Sequence, residues 1–113
     1  MLLKSWFGCA GCAMALLLGT RPGFADPAAI DVTIKDHRFS PAEIHIKIGQ
    51  PTVLTIRNQD PTVEEFDSTA LKIEKVIAGG TYGIIRLRPL WPGRYPFMGE
   101  FHAETAQGVV ISE

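Results

Sequence analysis

Ile44-His45-Ile46-Lys47-Ile48 sets an apolar residue at every second position, a period that a strand with one buried and one wet face satisfies and a helix does not. Ile30-Asp31-Val32-Thr33-Ile34 repeats the pattern. After the Gly49-Gln50-Pro51 turn, Thr52-Val53-Leu54-Thr55-Ile56-Arg57-Asn58 is apolar enough for a central strand. Gly83-Ile84-Ile85-Arg86-Leu87, the segment 93–99 and Val109-Val110-Ile111-Ser112 supply further strands, set off by Ala78-Gly79-Gly80 and by a turn over 89–93. The segment 66–76 is expected to be a broken strand or irregular crossover, because Lys72-Ile73-Glu74-Lys75-Val76 alternates and its upstream neighbours do not. No segment sustains a helical period. Strands this short and this regularly spaced predict an all-β Greek-key β-sandwich whose loops gather at its ends.

The first residues do not read as part of that sandwich. Lys4 gives a short basic start, 5–18 is mostly apolar, and Gly23-Phe24-Ala25 puts small residues at the two positions a signal peptidase reads. The apolar run is shorter than a spanning helix needs. Residues 1–25 are therefore expected to be a cleaved secretory signal peptide and 26–113 the folded domain, periplasmic in a Gram-negative host and peripheral to the membrane. Both cysteines, Cys9 and Cys12, fall within the leader, so the domain carries neither thiol nor disulfide. Lys4 and Arg21 leave with it, making the domain more acidic than the whole chain, whose net charge is −1. Such a surface lacks the basic footprint that nucleic acid requires. No nucleophile elbow, phosphate loop, zinc-finger spacing or catalytic triad pattern is present.

Two segments run from an apolar strand end into ligand-type residues. In Asn58-Gln59-Asp60-Pro61-Thr62-Val63-Glu64-Glu65-Phe66, paired carboxylates precede an aromatic core residue. In Tyr95-Pro96-Phe97-Met98-Gly99-Glu100-Phe101-His102, alternation puts Tyr95, Phe97 and Gly99 on one face with His102 in the loop beyond. Both segments end at the same rim of a sandwich. Glu64 shares Phe66's side and Glu65 faces away. Met98 lies opposite the core, close to His102, as a surface contact or a ligand. Glu100 is placed to assist and Glu104 to face solvent. His45, between Ile44 and Ile46, faces water, and His37 sits in a polar turn; neither is expected to be a ligand. Arg86, Arg88 and Arg94 read as a solvated outer face or a docking patch.

The strand ending in Asn58, the ligand-type residue before Phe66, the run Pro92-Gly93-x-Tyr95-x-Phe97 and the glycine-closed loop through Ala106-Gln107-Gly108 resemble the cupredoxin family over essentially all of 26–113. The resemblance implies that Glu64 falls where the family has its first histidine, Gly99 where it has cysteine, His102 at the second histidine and Gln107 near the axial position. The thiolate supplies a blue-copper site's strong soft bond. Without it no blue colour is expected, and imidazole with carboxylates is a harder set suited to Cu(II), iron, manganese or zinc. The candidate metal ligands are His102, Glu64, Glu65, Glu100 and Met98, with copper or iron as the metal.

Glu64-Glu65-Phe66, Glu74-Lys75-Val76 and Gly99-Glu100-Phe101-His102 together resemble the small periplasmic cupredoxin-like proteins of ferrous-iron uptake systems. That resemblance implies a role in binding or oxidising Fe(II) beside a periplasmic iron-binding protein and a membrane iron permease. An oxidase using oxygen would need further metal centres to gather four electrons, so any part in ferrous-iron oxidation is expected to be accessory. The rival expectation is a degenerate cupredoxin whose fold survives as a protein-interaction module without metal.

Overall fold

Alternation becomes nine strands in the computed structural model, which describes residues 26–113; the expected leader, 1–25, lies outside the described residues. They are β1 (Ala28–Lys35), β2 (Arg38–Ser40), β3 (Glu43–Ile46), β4 (Thr52–Asn58), β5 (Glu64–Ser68), β6 (Ile73–Ile77), β7 (Tyr82–Leu87), β8 (Gly93–Gly99) and β9 (Gln107–Ser112), with one 3-10 turn at Glu100–His102. Two sheets form, ordered β2-β1-β4-β7 and β3-β9-β8-β5-β6. β1 runs parallel to β4 and β3 parallel to β9, while the other pairings are antiparallel. The chain thus crosses between sheets as the expected Greek-key sandwich requires. Among the described residues no helix is long and apolar enough to cross a membrane.

Every second residue of β4 and β7 is buried: Leu54 and Ile56 on one, Ile85 and Leu87 on the other. They meet Ile44, Phe66, Phe97 and Val110 of the facing sheet in one core. Each such side chain contributes about 1.5–3 kcal/mol on burial, so the register of these strands is strongly held. Phe39 of β2 meets Phe97 edge-on at 4.9 Å between ring centroids and Phe66 at 6.0 Å, while Phe66 and Phe97 stack at 4.8 Å. This aromatic contact fastens the β1–β2 hairpin to the opposite sheet, beneath the rim where the candidate residues lie.

Two parts differ from the expectation. The segment 66–76 is an ordered hairpin: β5 and β6 pair antiparallel from Glu64↔Ile77 to Ser68↔Ile73. Its alternation is hard to read because β6 is an edge strand with three successive exposed residues, Glu74, Lys75 and Val76. Its turn buries Leu71 and puts Lys72 at φ 60°. β2 was not expected at all. It follows a two-residue turn in which Asp36 and His37 both have positive φ, 52° and 58°, a geometry usually announced by Asn-Gly.

Candidate metal centre

Glu64 opens β5 on the inward side, where its side chain is 2% exposed. A carboxylate so placed must be satisfied by hydrogen bonds. Its Oε1 accepts the amides of Phe101 at 2.9 Å and Glu65 at 3.1 Å, and its Oε2 lies 2.6 Å from His102 Nδ1. An acceptor-only carboxylate at that distance fixes the ring: Nδ1 carries the hydrogen and Nε2 presents its lone pair outward. The loop bearing His102 closes on itself, since its carbonyl accepts the amides of Thr105 and Ala106, and Gly99 donates to the Ala106 carbonyl at 2.8 Å.

Gly99 makes this arrangement possible. A Cβ there would sit 2.6 Å from the Glu64 carboxyl carbon and 2.8 Å from the Ala106 Cβ. The carboxylate therefore fills the space that any side chain at position 99 would enter.

His37 joins this group although its sequence context marked it only as a polar turn. Its ring stacks on His102 with centroids 3.5 Å apart and planes 13° from parallel. The turn that carries it is held from below by buried Asp60, whose two carboxylate oxygens accept the amides of Asp36 at 2.8 Å and His37 at 2.9 Å. The His37 amide, then that of Asp36, holds the Asp60 carboxyl below the usual aspartate value against the opposing effect of burial. Asp60 is in turn placed by Asn58, whose Oδ1 accepts its amide. From the far side, Thr105 Oγ1 donates to the His37 carbonyl at 2.7 Å. The sequence marked His37 only as part of a polar turn; without glycine or asparagine, the positive-φ geometry that brings it to His102 was not legible.

Alternation sends Glu65 and Asp67 to the outer face of the sheet. There, with Glu100 from the 3-10 turn, they bring three carboxylate oxygens within 4.8 Å of one another. The hydrogen bond between Glu65 and Glu100 is the largest cause, with burial next and then the charges of Glu100, Glu74 and Asp67, of a Glu65 carboxyl pushed up to about 7. Met98 is the cross-strand partner of Asp67 and is exposed on the same face. The five sequence-derived candidates thus divide about the β5 backbone. Glu64 and His102 lie at its inner side with His37, while Glu65, Glu100 and Met98 lie outside with Asp67. Glu104 is exposed, and so is Gln107, whose side-chain amide donates to the Ala103 carbonyl. His45 is exposed between Glu43 and Glu113, whose carboxylates, Glu113 first, raise it above the usual histidine value.

A family model for the cupredoxin-like domain matches residues 8–112. The chain belongs to the cupredoxin-like domain family. It is 42% identical over 82 residues to an uncharacterized protein of Rickettsia prowazekii (strain Madrid E), a match covering 73% of this chain and 66% of that protein. Among solved structures, the cupredoxin-like domain is similar to auracyanin A, a blue copper protein of Chloroflexus aurantiacus. The TM-score is 0.67 at 13% identity, covering 78% of this chain and 100% of that one. It is also similar to the metal-binding domain of the Cu(I)-exporting P-type ATPase CopA of Streptococcus pneumoniae D39, with a TM-score of 0.65 at 19% identity over 80% and 99% of the two chains. A purple cupredoxin from Nitrosopumilus maritimus scores 0.56 at 18% identity, over 74% and 98%. At these identities the likeness is one of fold.

A thiolate copper centre does not fit this cupredoxin-like domain. Position 99 has no side chain, the space beside it holds a carboxylate, and that carboxylate is spent on two amides and an imidazole. The outer cluster does fit a hard cation, offering carboxylate oxygens alone from two chain segments.

Proposed function

We propose that this cupredoxin-like protein binds a divalent transition-metal ion, iron or copper, without a thiolate, and acts as a metal-binding or transfer protein instead of a blue electron carrier. The observation that carries the reading is the convergence of Glu65, Asp67 and Glu100, in which Glu65 is held protonated up to about 7 by its neighbours. A bound cation would replace the proton that Glu65 shares in its hydrogen bond with Glu100 and offset the charges of Glu100, Glu74 and Asp67. It would supply Lewis acidity or a redox couple, and the residues would hold it and hand it on. Oxygen donors suit Fe(II), although Cu(II) outcompetes it wherever copper is free. The residue resemblance to ferrous-iron uptake components supports iron, and with it a place outside the cytoplasmic membrane beside an iron-binding protein and an iron permease.

Titration calorimetry of the purified protein with anaerobic Fe(II), with Mn(II) and with Cu(II) tests this. One Fe(II) or Mn(II) ion bound per chain, and one Cu(II) ion at the outer cluster, are expected, with the affinity of that cluster falling at least about tenfold in Glu65→Gln and Glu100→Gln. Equal weak binding by all three proteins would sink the reading. The rival, an interaction module without metal, is favoured by a shallow cavity of about 540 Å³ floored by Ala70, Pro96, Phe97 and Met98 beside Asp67.

A further inference from the structure

We propose that His37 and His102 form a second metal site, built on two imidazoles at the inner side of β5 and selective for borderline ions such as Cu(II) and Zn(II). This site is independent of the outer carboxylate cluster. It also differs from a blue-copper ligand set, since its second imidazole comes from the β1–β2 turn and its carboxylate, Glu64, stands behind the ligand.

Three features build it. His102 is anchored through Nδ1 to a buried carboxylate whose other oxygen accepts two amides, the arrangement that orients metal-binding histidines and strengthens the outward nitrogen as a donor. His37 occupies a position at φ 58° where asparagine or glycine would fit with less strain. Its backbone is nonetheless gripped by Asp60 on one side and Thr105 on the other. The ring centroids lie 3.5 Å apart, so the two imidazoles are close neighbours at one rim, and a change of ring angle can bring a nitrogen of each to about 2.0–2.1 Å from a shared ion.

In near-parallel rings the nitrogen lone pairs lie in near-parallel planes, so sharing one ion requires the His37 ring to tilt. Few polar contacts hold that ring in place. Among the described residues its Nε2 meets only the Thr62 hydroxyl, at a long 3.4 Å, and its Nδ1 has no hydrogen-bond partner. His102 Nε2 has none either among the described residues, and the His102 side chain is 25% exposed, so solvent can complete the coordination. Two neutral imidazoles favour Cu(II) first in the divalent series and accept Zn(II) readily.

The experiment uses the purified protein carrying Glu65→Gln, Asp67→Asn and Glu100→Gln, which disables the outer cluster. Cu(II) is added for paramagnetic resonance and Zn(II) for nitrogen-detected magnetic resonance of the rings. The expected result is hyperfine coupling to two imidazole nitrogens, and Zn(II) shifts at both His37 and His102. His37→Asn, which suits the turn, and His37→Phe, which keeps an aromatic face on His102, should each reduce the coupling to one nitrogen and weaken binding about tenfold or more. Coupling to one nitrogen or none in the parent, or two that survive both His37 variants, overturns the site. The carboxylate reading fails separately, through unchanged Fe(II) affinity when the outer residues alone are altered.

Discussion

The carboxylate of Glu64 and the bare Cα of Gly99 are complementary: a Cβ at 99 would stand 2.6 Å from the Glu64 carboxyl carbon. Gly99→Ala should therefore destabilise the fold by about 1–3 kcal/mol through overpacking, and Gly99→Cys should do so without yielding a blue copper protein. Urea unfolding of Gly99→Ala, Glu64→Ala and the double variant measures the coupling. The double variant is expected to lose less than the sum of the two single losses, with the alanine at 99 costing less once Glu64 is gone. Strict additivity would show that the two positions do not compete for space.

Glu64→Gln keeps the shape of the buried side chain and reverses one hydrogen bond. Its amide oxygen can still accept from Glu65 and Phe101, while its NH2 donates to His102 Nδ1. His102 should change tautomer, carrying its hydrogen on Nε2 in the variant and on Nδ1 in the parent, as nitrogen chemical shifts report directly. An unchanged tautomer would mean that Glu64 does not set the ring. Stability should fall by about 1–3 kcal/mol, since a charge-assisted bond is lost in a buried place.

Asp60 holds two consecutive amides of a turn that has two positive-φ residues. Asp60→Ala leaves those donors without acceptors and should cost about 1–3 kcal/mol, with the largest amide exchange increases at Asp36 and His37. Because its folded-state value lies below the ordinary aspartate value, Asp60 contributes stability that is complete above that ordinary value and is lost as pH falls through the lowered one. Asp60→Asn should lose less stability on acidification than the parent does. Parallel acid profiles for the two proteins would remove Asp60 from that role.

Glu65 behaves in the opposite sense. Its carboxyl is raised from 4.5 to about 7, so the folded state holds a proton between those values that the unfolded state has released. Its contribution is fully present below about 4.5 and is lost as pH rises through about 7. Glu65→Gln should flatten unfolding profiles between about pH 4.5 and pH 7, the window set by that shift, and should make the protein relatively more stable at the upper end. A metal ion at the cluster must displace this proton, so affinity should climb across the same interval. A profile for Glu65→Gln that tracks the parent throughout would contradict the assignment.

The sandwich was legible because its signal is local. Ile30 to Ile34, Thr52 to Asn58 and Gly93 to Gly99 each state their own buried face through a period of two, and the structure keeps those faces. The same rule placed Glu64 beside Phe66 and turned Met98 outward, as observed. It failed where the period was too short to count, in the three residues of β2, and where an edge strand hides alternation under exposed side chains, in β6.

By itself the sequence determined an all-β chain without a cysteine between 26 and 113, with carboxylates and one histidine at the ends of two strands. Only the tertiary structure decided which of these meet. Glu64 and Glu65 are neighbours in the chain, yet pleating puts them on opposite sides of β5 and so in different clusters. His37 and His102 are far apart in the chain, yet Phe39 docks the β1–β2 hairpin on the facing sheet and brings their rings to 3.5 Å. Side-chain direction along a strand follows from the backbone's own period. The contact of a turn with a distant loop follows from how two sheets pack, and no local pattern encodes that.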